Sequence, residues 1–202
     1  MRLIAATGNP GKVKELQAIL GESGFEVVTA REAGFEPPQD VEETADTFEG
    51  NALLKAMSWH HACSGAAVIA DDSGLEVDAL DGAPGVYSAR YCDGGDREHR
   101  QKLLSELSGI PNEQRTARFV SVVCCVLDGG TVISAKGTCE GRILTEEHGD
   151  HGFGYDSIFL EKTTGRSFGE LTDTEKDAVS HRGNALRKLA QKLERYQQTT
   201  EK

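Results

Sequence analysis

Basic residues are in short supply. The 202-residue chain sets 22 Lys and Arg against 33 Asp and Glu, a formal net charge of −11. A protein that grips nucleic-acid backbone through charge carries the opposite balance. That argues against nucleic acid and anionic membrane as bulk partners, while leaving room for a small basic pocket. Long apolar runs are also missing. Mean hydropathy is −0.43, and no stretch nears the ~18 residues a membrane helix needs. The opening Met1-Arg2-Leu3-Ile4-Ala5-Ala6-Thr7 is broken at once by Gly8-Asn9-Pro10-Gly11 and reads as a strand, not a signal peptide. Cysteine is sparse: Cys63, Cys92, Cys124, Cys125 and Cys139 make an odd five with no C-x-x-C pair. This argues against a disulfide framework and fits reduced, buried thiols in a cytoplasm.

The length suggests one domain, with room for a second lobe and a core that needs no staples. The pattern alternates. Arg2 to Thr7 reads as a strand and Lys12 to Leu20 as a helix with Val13, Leu16, Ile19 and Leu20 on one face. Glu26 to Thr29 reads as a strand, and residues 31–46 as an acidic loop with Pro37-Pro38. A helix is expected from about Thr47 to Cys63, and a short strand from Ala66 to Ala70 that stops at Asp71-Asp72-Ser73-Gly74. Residues 81–96 read as loop and Arg97 to Leu107 as helix. Ala117 to Leu127 is apolar on both faces, as a covered central strand requires. Asp128-Gly129-Gly130 signals a hairpin, with a return strand from Thr131 to Cys139. Gly141 to Tyr155 reads as loop, Asn184 to Tyr196 as the last helix, and 197–202 as a frayed tail. Alternating strands and helices followed by a hairpin specify an α/β fold with a mixed sheet.

Four clusters fall at element ends, and each has two readings. Thr7-Gly8-Asn9-Pro10-Gly11-Lys12 links a strand to a helix, where backbone amides, a helix N-terminus and Lys12 can receive an anion. A plain turn explains its glycines equally well, and its spacing is not that of a Walker loop. Ala70-Asp71-Asp72-Ser73-Gly74-Leu75 can hold a hard cation or activate water, or it is an acidic turn. Side chains alternate on a strand, so only one of the two acids faces a cleft. Glu42 and Glu43 lie upstream as further oxygen ligands or as solvated surface. Gly152-Phe153-Gly154-Tyr155-Asp156 exposes an aromatic face for a flat base, or is a tight turn with a packed Phe. Ser180-His181-Arg182-Gly183, with Lys176 a turn upstream, presents donors to a planar ligand or caps a helix. His148, Asp150 and His151 read as incidental loop residues.

Taken together and in order, these clusters resemble the inosine triphosphate pyrophosphatase family. The carriers are T-G-N-P-G-K at 7–12, F-E-G-N-A-L-L-K-A at 48–56, A-D-D-S-G-L at 70–75, G-A-P-G-V-Y-S-A-R-Y at 82–91, G-F-G-Y-D at 152–156 and S-H-R at 180–182. The resemblance implies a two-lobed α/β fold about a long mixed sheet, a nucleotide cleft between the lobes, and a homodimer. It implies hydrolysis of dITP, ITP and XTP to the monophosphate and pyrophosphate with Mg²⁺. Carried over by motif, Thr7, Gly8, Asn9, Pro10, Gly11 and Lys12 would bind phosphates, with Lys55 near them. Asp72 would be general base and metal ligand, Glu43 the other acidic metal position, and Ser73 a substrate contact. Phe153, Gly154, Tyr155, Asp156, Lys176, His181 and Arg182 would surround base and sugar. Two positions depart from the pattern: Gly50 stands where bacterial relatives usually have Glu, and Ser157 where Pro usually follows the Tyr-Asp.

Two rival readings stay open at this point. A catalytically silent nucleotide sensor would lack one of Glu43, Asp72, Lys12 or Lys55, and all four are present. A metal-dependent monophosphatase would release orthophosphate and needs no stacking Phe.

Overall fold

The computed structural model describes residues 1–38 and 41–200, so Gln39 and Asp40 of the acidic loop and the last two residues lie outside the described residues. Strand β1 (Arg2–Ala5) leads into α1 (Pro10–Glu22), β2 (Glu26–Thr29), α2 (Phe48–Ala62) and β3 (Val68–Val77). There follow α3 (Asp96–Glu106), β4 (Thr116–Val126), β5 (Val132–Ile143), β6 (Phe159–Glu161), α4 (Asp173–Val179) and α5 (His181–Thr200). Among the described residues the strands form one sheet in the order β2-β1-β3-β4-β5-β6. β1 runs parallel to β2, pairing Leu3 with Val27, and parallel to β3, pairing Ala5 with Ile69; β5 and β6 are antiparallel. The expected α/β class with a mixed sheet is observed.

The chain divides into two compact units: Met1–Asp72 with Ser121–Gly137 and Arg182–Lys202, and Ser73–Val120 with Thr138–His181. Each has its own core. In the first, Leu16, Ile19 and Leu20 of α1 and Leu186, Leu189 and Leu193 of α5 pack with Leu3, Ile69 and Val123. In the second, Phe119, Phe159 and Phe168 form an aromatic nest with Leu75, Leu103 and Ile158. Phe119 meets Phe159 edge-on at 4.7 Å between centroids. The five cysteines are free thiols. Burial pushes Cys124 up to about 11 and Cys125 to about 12, which keeps them protonated and inert.

Several boundaries differ from the sequence reading, each for a physical reason. α1 begins earlier, because Pro10 suits the first helical turn and the Asn9 side chain accepts from Gly11 N–H at 2.8 Å. β3 does not stop at Asp71 but runs on through Asp72, Ser73 and Gly74 to Val77. Burial and side-chain pairing override the low strand propensity of those acids. β5 extends to Ile143, and β6 and α4 occupy stretches to which the sequence pattern assigned no element. α4 carries a capping box: Thr172 Oγ1 accepts from Glu175 N–H, and the Glu175 carboxylate from Thr172 N–H. α5 starts at His181 and stays helical through 197–200, where a frayed tail was expected. No helix of the described residues is long and apolar enough to cross a membrane.

Arg115 ties the second unit together. Its side chain is buried, and it donates to Leu107 O at 2.8 Å, Ile143 O at 2.9 Å and Leu144 O at 2.6 Å. These carbonyls end α3 and β5. Removing the guanidinium strands buried acceptors, each costing about 1–3 kcal/mol. Arg115→Met should therefore lose about 2–4 kcal/mol in urea denaturation. Arg115→Lys should recover only part of this, since a single ammonium cannot span the three carbonyls.

Candidate active site

The first unit gathers charge around the end of β1. Asp71 and Asp72 are neighbours on β3, and a strand sends neighbouring side chains to opposite faces. They acquire opposite surroundings. Asp71, 2% exposed, receives Lys12 Nζ at 3.0 Å and Arg182 Nε at 3.1 Å. Arg182 also pairs with Glu15 through Nη1. Burial works against the Asp71 charge, but Lys12, Arg182 and Lys55 outweigh it and hold the carboxyl well below the usual range. Lys12 in turn is lowered by burial, with Asp71 pulling the other way.

Asp72 is buried too, yet its Oδ2 makes no hydrogen bond. Burial, then the nearby charge of Glu43, pushes it up to about 6; Lys55 and the Asn51 side chain pull the other way. Lys55 Nζ binds Glu43 Oε1 at 2.5 Å and the Asp71 carbonyl at 3.1 Å. Glu43, Lys55 and Asp72 therefore form one electrostatic group. Among the described residues no three His, Cys, Asp or Glu side chains gather as a ready metal cluster. Two hard carboxylates, one with an orphaned buried oxygen, fit Mg²⁺, which keeps several waters and takes few protein ligands.

The turn at 7–12 is only half prepared for an anion. Asn9 caps the amides of Gly11 and Lys12 at 2.8 and 3.4 Å, and Asn9 N–H donates to Thr7 Oγ1 at 3.1 Å. Lys12 is engaged by Asp71. Thr7, Gly8 and Pro10 border a cavity of about 850 Å³ that Lys55 and Trp59 also line.

In the second unit, Phe153 is 42% exposed. The turn beneath it is anchored from three sides. Asp156 Oδ2 accepts from Phe153 N–H at 2.8 Å and from Lys176 Nζ at 2.7 Å, and Lys176 Nζ lies 4.8 Å from the Phe153 ring centroid. A Cβ on Gly152 would fall 2.1 Å from that same Asp156 oxygen, at a φ of +77°, so only glycine admits the buried carboxylate here. From α3, Asp96 accepts from Gly154 N–H at 2.7 Å and Arg100 donates to Gly154 O at 2.8 Å. Tyr155 is buried, its hydroxyl donating to Ser88 O at 2.8 Å. His181 is buried, with its ring stacked on Phe119 at 4.7 Å. His148 and His151 sit exposed beside Glu146 and Asp150.

Comparison with known proteins follows from this geometry. Residues 3–192 match the model of the Ham1 family. The chain belongs to the Ham1 family. The dITP/XTP pyrophosphatase of Bacillus subtilis is 47% identical over 193 residues, covering 95% of this chain and 96% of that one. The protein of the same name from Haemophilus influenzae is 49% identical over 197 residues, covering 95% and 98%. The solved Staphylococcus aureus Ham1 protein superposes with a TM-score of 0.83 at 38% identity, covering 96% of this chain and 98% of that chain. The Coxiella burnetii HAM1 protein gives 0.83 at 36% identity, covering 96% and 99%. The family resemblance read from the motifs thus extends over nearly the whole chain.

Within this Ham1 chain the structure adds residues that motif reading left without a role. Glu15 holds Arg182, and Asp96 and Arg100 hold the Phe153 turn. Pairs separated by 167 or 58 positions leave no local pattern to find. Asp71 was legible as one of two acids but not as the ion-pair centre.

The two aspartates should respond oppositely to neutralisation in metal-free buffer. An unfolded Asp titrates near 3.8, and Asp72 in the fold near 6. Its ionised form therefore costs stability that grows as pH rises from about 4 through 6. Asp72→Asn should stabilise the fold by about 1–3 kcal/mol above pH 6, and by nothing below pH 4. Asp71 is depressed, so its contribution is held through neutral pH and lost only in strong acid. Asp71→Asn leaves Lys12 and Arg182 buried without their partner and should cost about 3–5 kcal/mol at pH 7. Thermal denaturation of both variants at pH 4 and 7.5 in EDTA checks the signs.

Proposed function

We propose that this protein hydrolyses non-canonical purine nucleoside triphosphates (dITP, ITP and XTP) to the nucleoside monophosphate and pyrophosphate. The observation that carries the reading is the split between Asp71 and Asp72: one acid locked by cations, the other raised and orphaned beside Glu43 and Lys55. Membership of the Ham1 family and the names of its dITP/XTP pyrophosphatase relatives support it.

Asp72 is the general base. A carboxyl raised to about 6 is ionised at pH 7 yet basic enough to take a proton from water. The water attacks the α phosphorus, the bond to the bridging oxygen breaks, and pyrophosphate leaves. Glu43 and Asp72 would hold Mg²⁺, which when bound offsets phosphate charge and lowers the pKa of water. Three cations, Lys12, Lys55 and Arg182, face four carboxylates, Glu15, Glu43, Asp71 and Asp72. That balance gives a triphosphate no surplus of positive charge, so a divalent cation must accompany it. Lys55, Lys12 and the 7–12 turn orient the phosphates. Ser73 contacts the substrate, and the base stacks on the open face of Phe153, whose turn Asp156 and Lys176 stiffen.

Donors from the 180–182 segment would meet the C6 carbonyl of hypoxanthine or xanthine. Adenine offers an amino donor there, and donor against donor is strongly penalised. A homodimer in the cytoplasm completes the reading; the free cysteines fit that compartment.

Product analysis with ITP decides the chemistry. Pyrophosphate and IMP are expected, and orthophosphate as the first product would favour a phosphatase. Asp72→Asn should lower kcat by about 10²–10⁴ while nucleotide binding survives. ITP and XTP should exceed ATP in kcat/KM by at least ~10². Equal turnover of ATP would make the enzyme a general nucleotide pyrophosphatase.

A further inference from the structure

Asn51 has no part in the chemistry above, yet its surroundings are those of a working residue. It lies in the first turns of α2 and is fully buried. A buried asparagine has an acceptor oxygen and a two-proton donor to place. Its Oδ1 accepts from Ala45 N–H at 2.9 Å. Ala45 stands two residues after Glu43, in the segment that leads into α2. The other end of the amide lies beside Asp72. There Asn51 Nδ2 and Asp72 Oδ2 are both buried and without a partner in hydrogen-bonding geometry. One rigid planar group thus addresses the segment that carries Glu43 and the side chain of Asp72.

Position 50 shows the steric condition for this contact. A Cβ on Gly50 would come within 2.5 Å of Ala45 Cβ and 3.1 Å of Thr47 Oγ1. The missing side chain is what lets the 45–47 segment close over the helix start. Thr47 Oγ1 caps Gly50 N–H at 3.1 Å, and Ala45 reaches Asn51.

We propose that Asn51 is a positioning residue for the Glu43–Asp72 pair, setting the spacing at which two carboxylates share one divalent cation, with Gly50 as its steric condition. The proposal rests on reading Glu43 and Asp72 as the cation ligands. A site with two protein ligands has little redundancy, and groups that orient metal ligands typically carry about 10–100-fold in metal affinity. A merely structural asparagine would cost stability and leave metal affinity alone.

The test uses the full chain and Mn²⁺ as probe. Mn²⁺ binding without nucleotide is followed by electron paramagnetic resonance, and the Mg²⁺ concentration for half-maximal ITP hydrolysis by kinetics. Asn51→Ala is expected to weaken Mn²⁺ binding at least tenfold and to raise the Mg²⁺ requirement by a similar factor. KM for ITP at saturating Mg²⁺ should move less than threefold. Gly50→Ala, which keeps the amide, should shift both metal readouts the same way by a smaller factor, and it carries the test if Asn51→Ala fails to fold. Glu43→Gln separates the two levels of the argument. If Glu43→Gln leaves Mn²⁺ binding unchanged, the carboxylate reading itself fails. If Glu43→Gln weakens binding while folded Asn51→Ala, or Gly50→Ala in its place, stays within threefold of wild type, the Asn51 proposal alone is overturned.

Discussion

The charge on Asp71 is the constraint from which the first unit's site is built. A carboxylate with 2% exposure is tolerated only if cations meet it in the fold. Here they come from the start of α1, 59 positions away, and the start of α5, 111 positions away. Such a pair is weak evidence for net stability, because desolvation offsets much of the attraction. Its structural effect is firmer. Lys12 fixes the entry to α1 and hence the turn at 7–12. Arg182 fixes the entry to α5, and Glu15, a partly buried residue of α1, then balances Arg182. Three chain segments meet at one acid, and each carries a residue that the proposed site uses.

Asp72 inherits its chemistry from that arrangement. The strand's two-residue period turns it away from Lys12 and Arg182, the two cations paired with the Asp71 carboxylate. It is left with Glu43, which repels it, and Lys55, whose ammonium is already shared with Glu43 and the Asp71 carbonyl. Desolvation and the like charge win, so the carboxyl rises. Two chemically identical neighbours acquire opposite electrostatics because the strand turns them to opposite faces.

Much of this was legible in the sequence where the signal is local. Leu16, Ile19 and Leu20 at helical spacing give α1, and the doubly apolar run from Ala117 to Leu127 gives the covered strand β4. The divergence of Asp71 and Asp72 followed from strand geometry alone. What was hidden depends on distant partners. β3 continues through Asp71-Asp72-Ser73-Gly74 because buried cations and packing overrule a sequence that reads as a turn. β6 spans only Phe159–Glu161, too short for any periodicity. α4 announces itself by Thr172 and Glu175, a capping box without an apolar run behind it. Arg182 reads as a ligand contact in its motif, whereas its guanidinium is committed to Asp71 and Glu15. The aromatic nest around Phe119 likewise explains why His181 is buried, a fact no motif contains.

The second unit solves a similar problem in the same way. Phe153 can present a face to solvent only if the turn beneath it is held. Asp156 and Lys176 do so as a buried pair, with side chains 5% and 7% exposed. Asp156 then accepts from the backbone of Phe153, so the ion pair is transmitted directly to the residue above it. In both units a charged pair withdrawn from water stands beside a group with something to offer: a partly exposed aromatic ring in one, a carboxylate oxygen without a hydrogen bond in the other. An acidic protein can in this way handle an acidic nucleotide without a reservoir of free lysines. Around Asp71 and Asp156 its own carboxylates neutralise Lys12, Arg182 and Lys176 in the resting fold, and it is this balance that leads the proposed reading to give a divalent cation a share in drawing in the triphosphate.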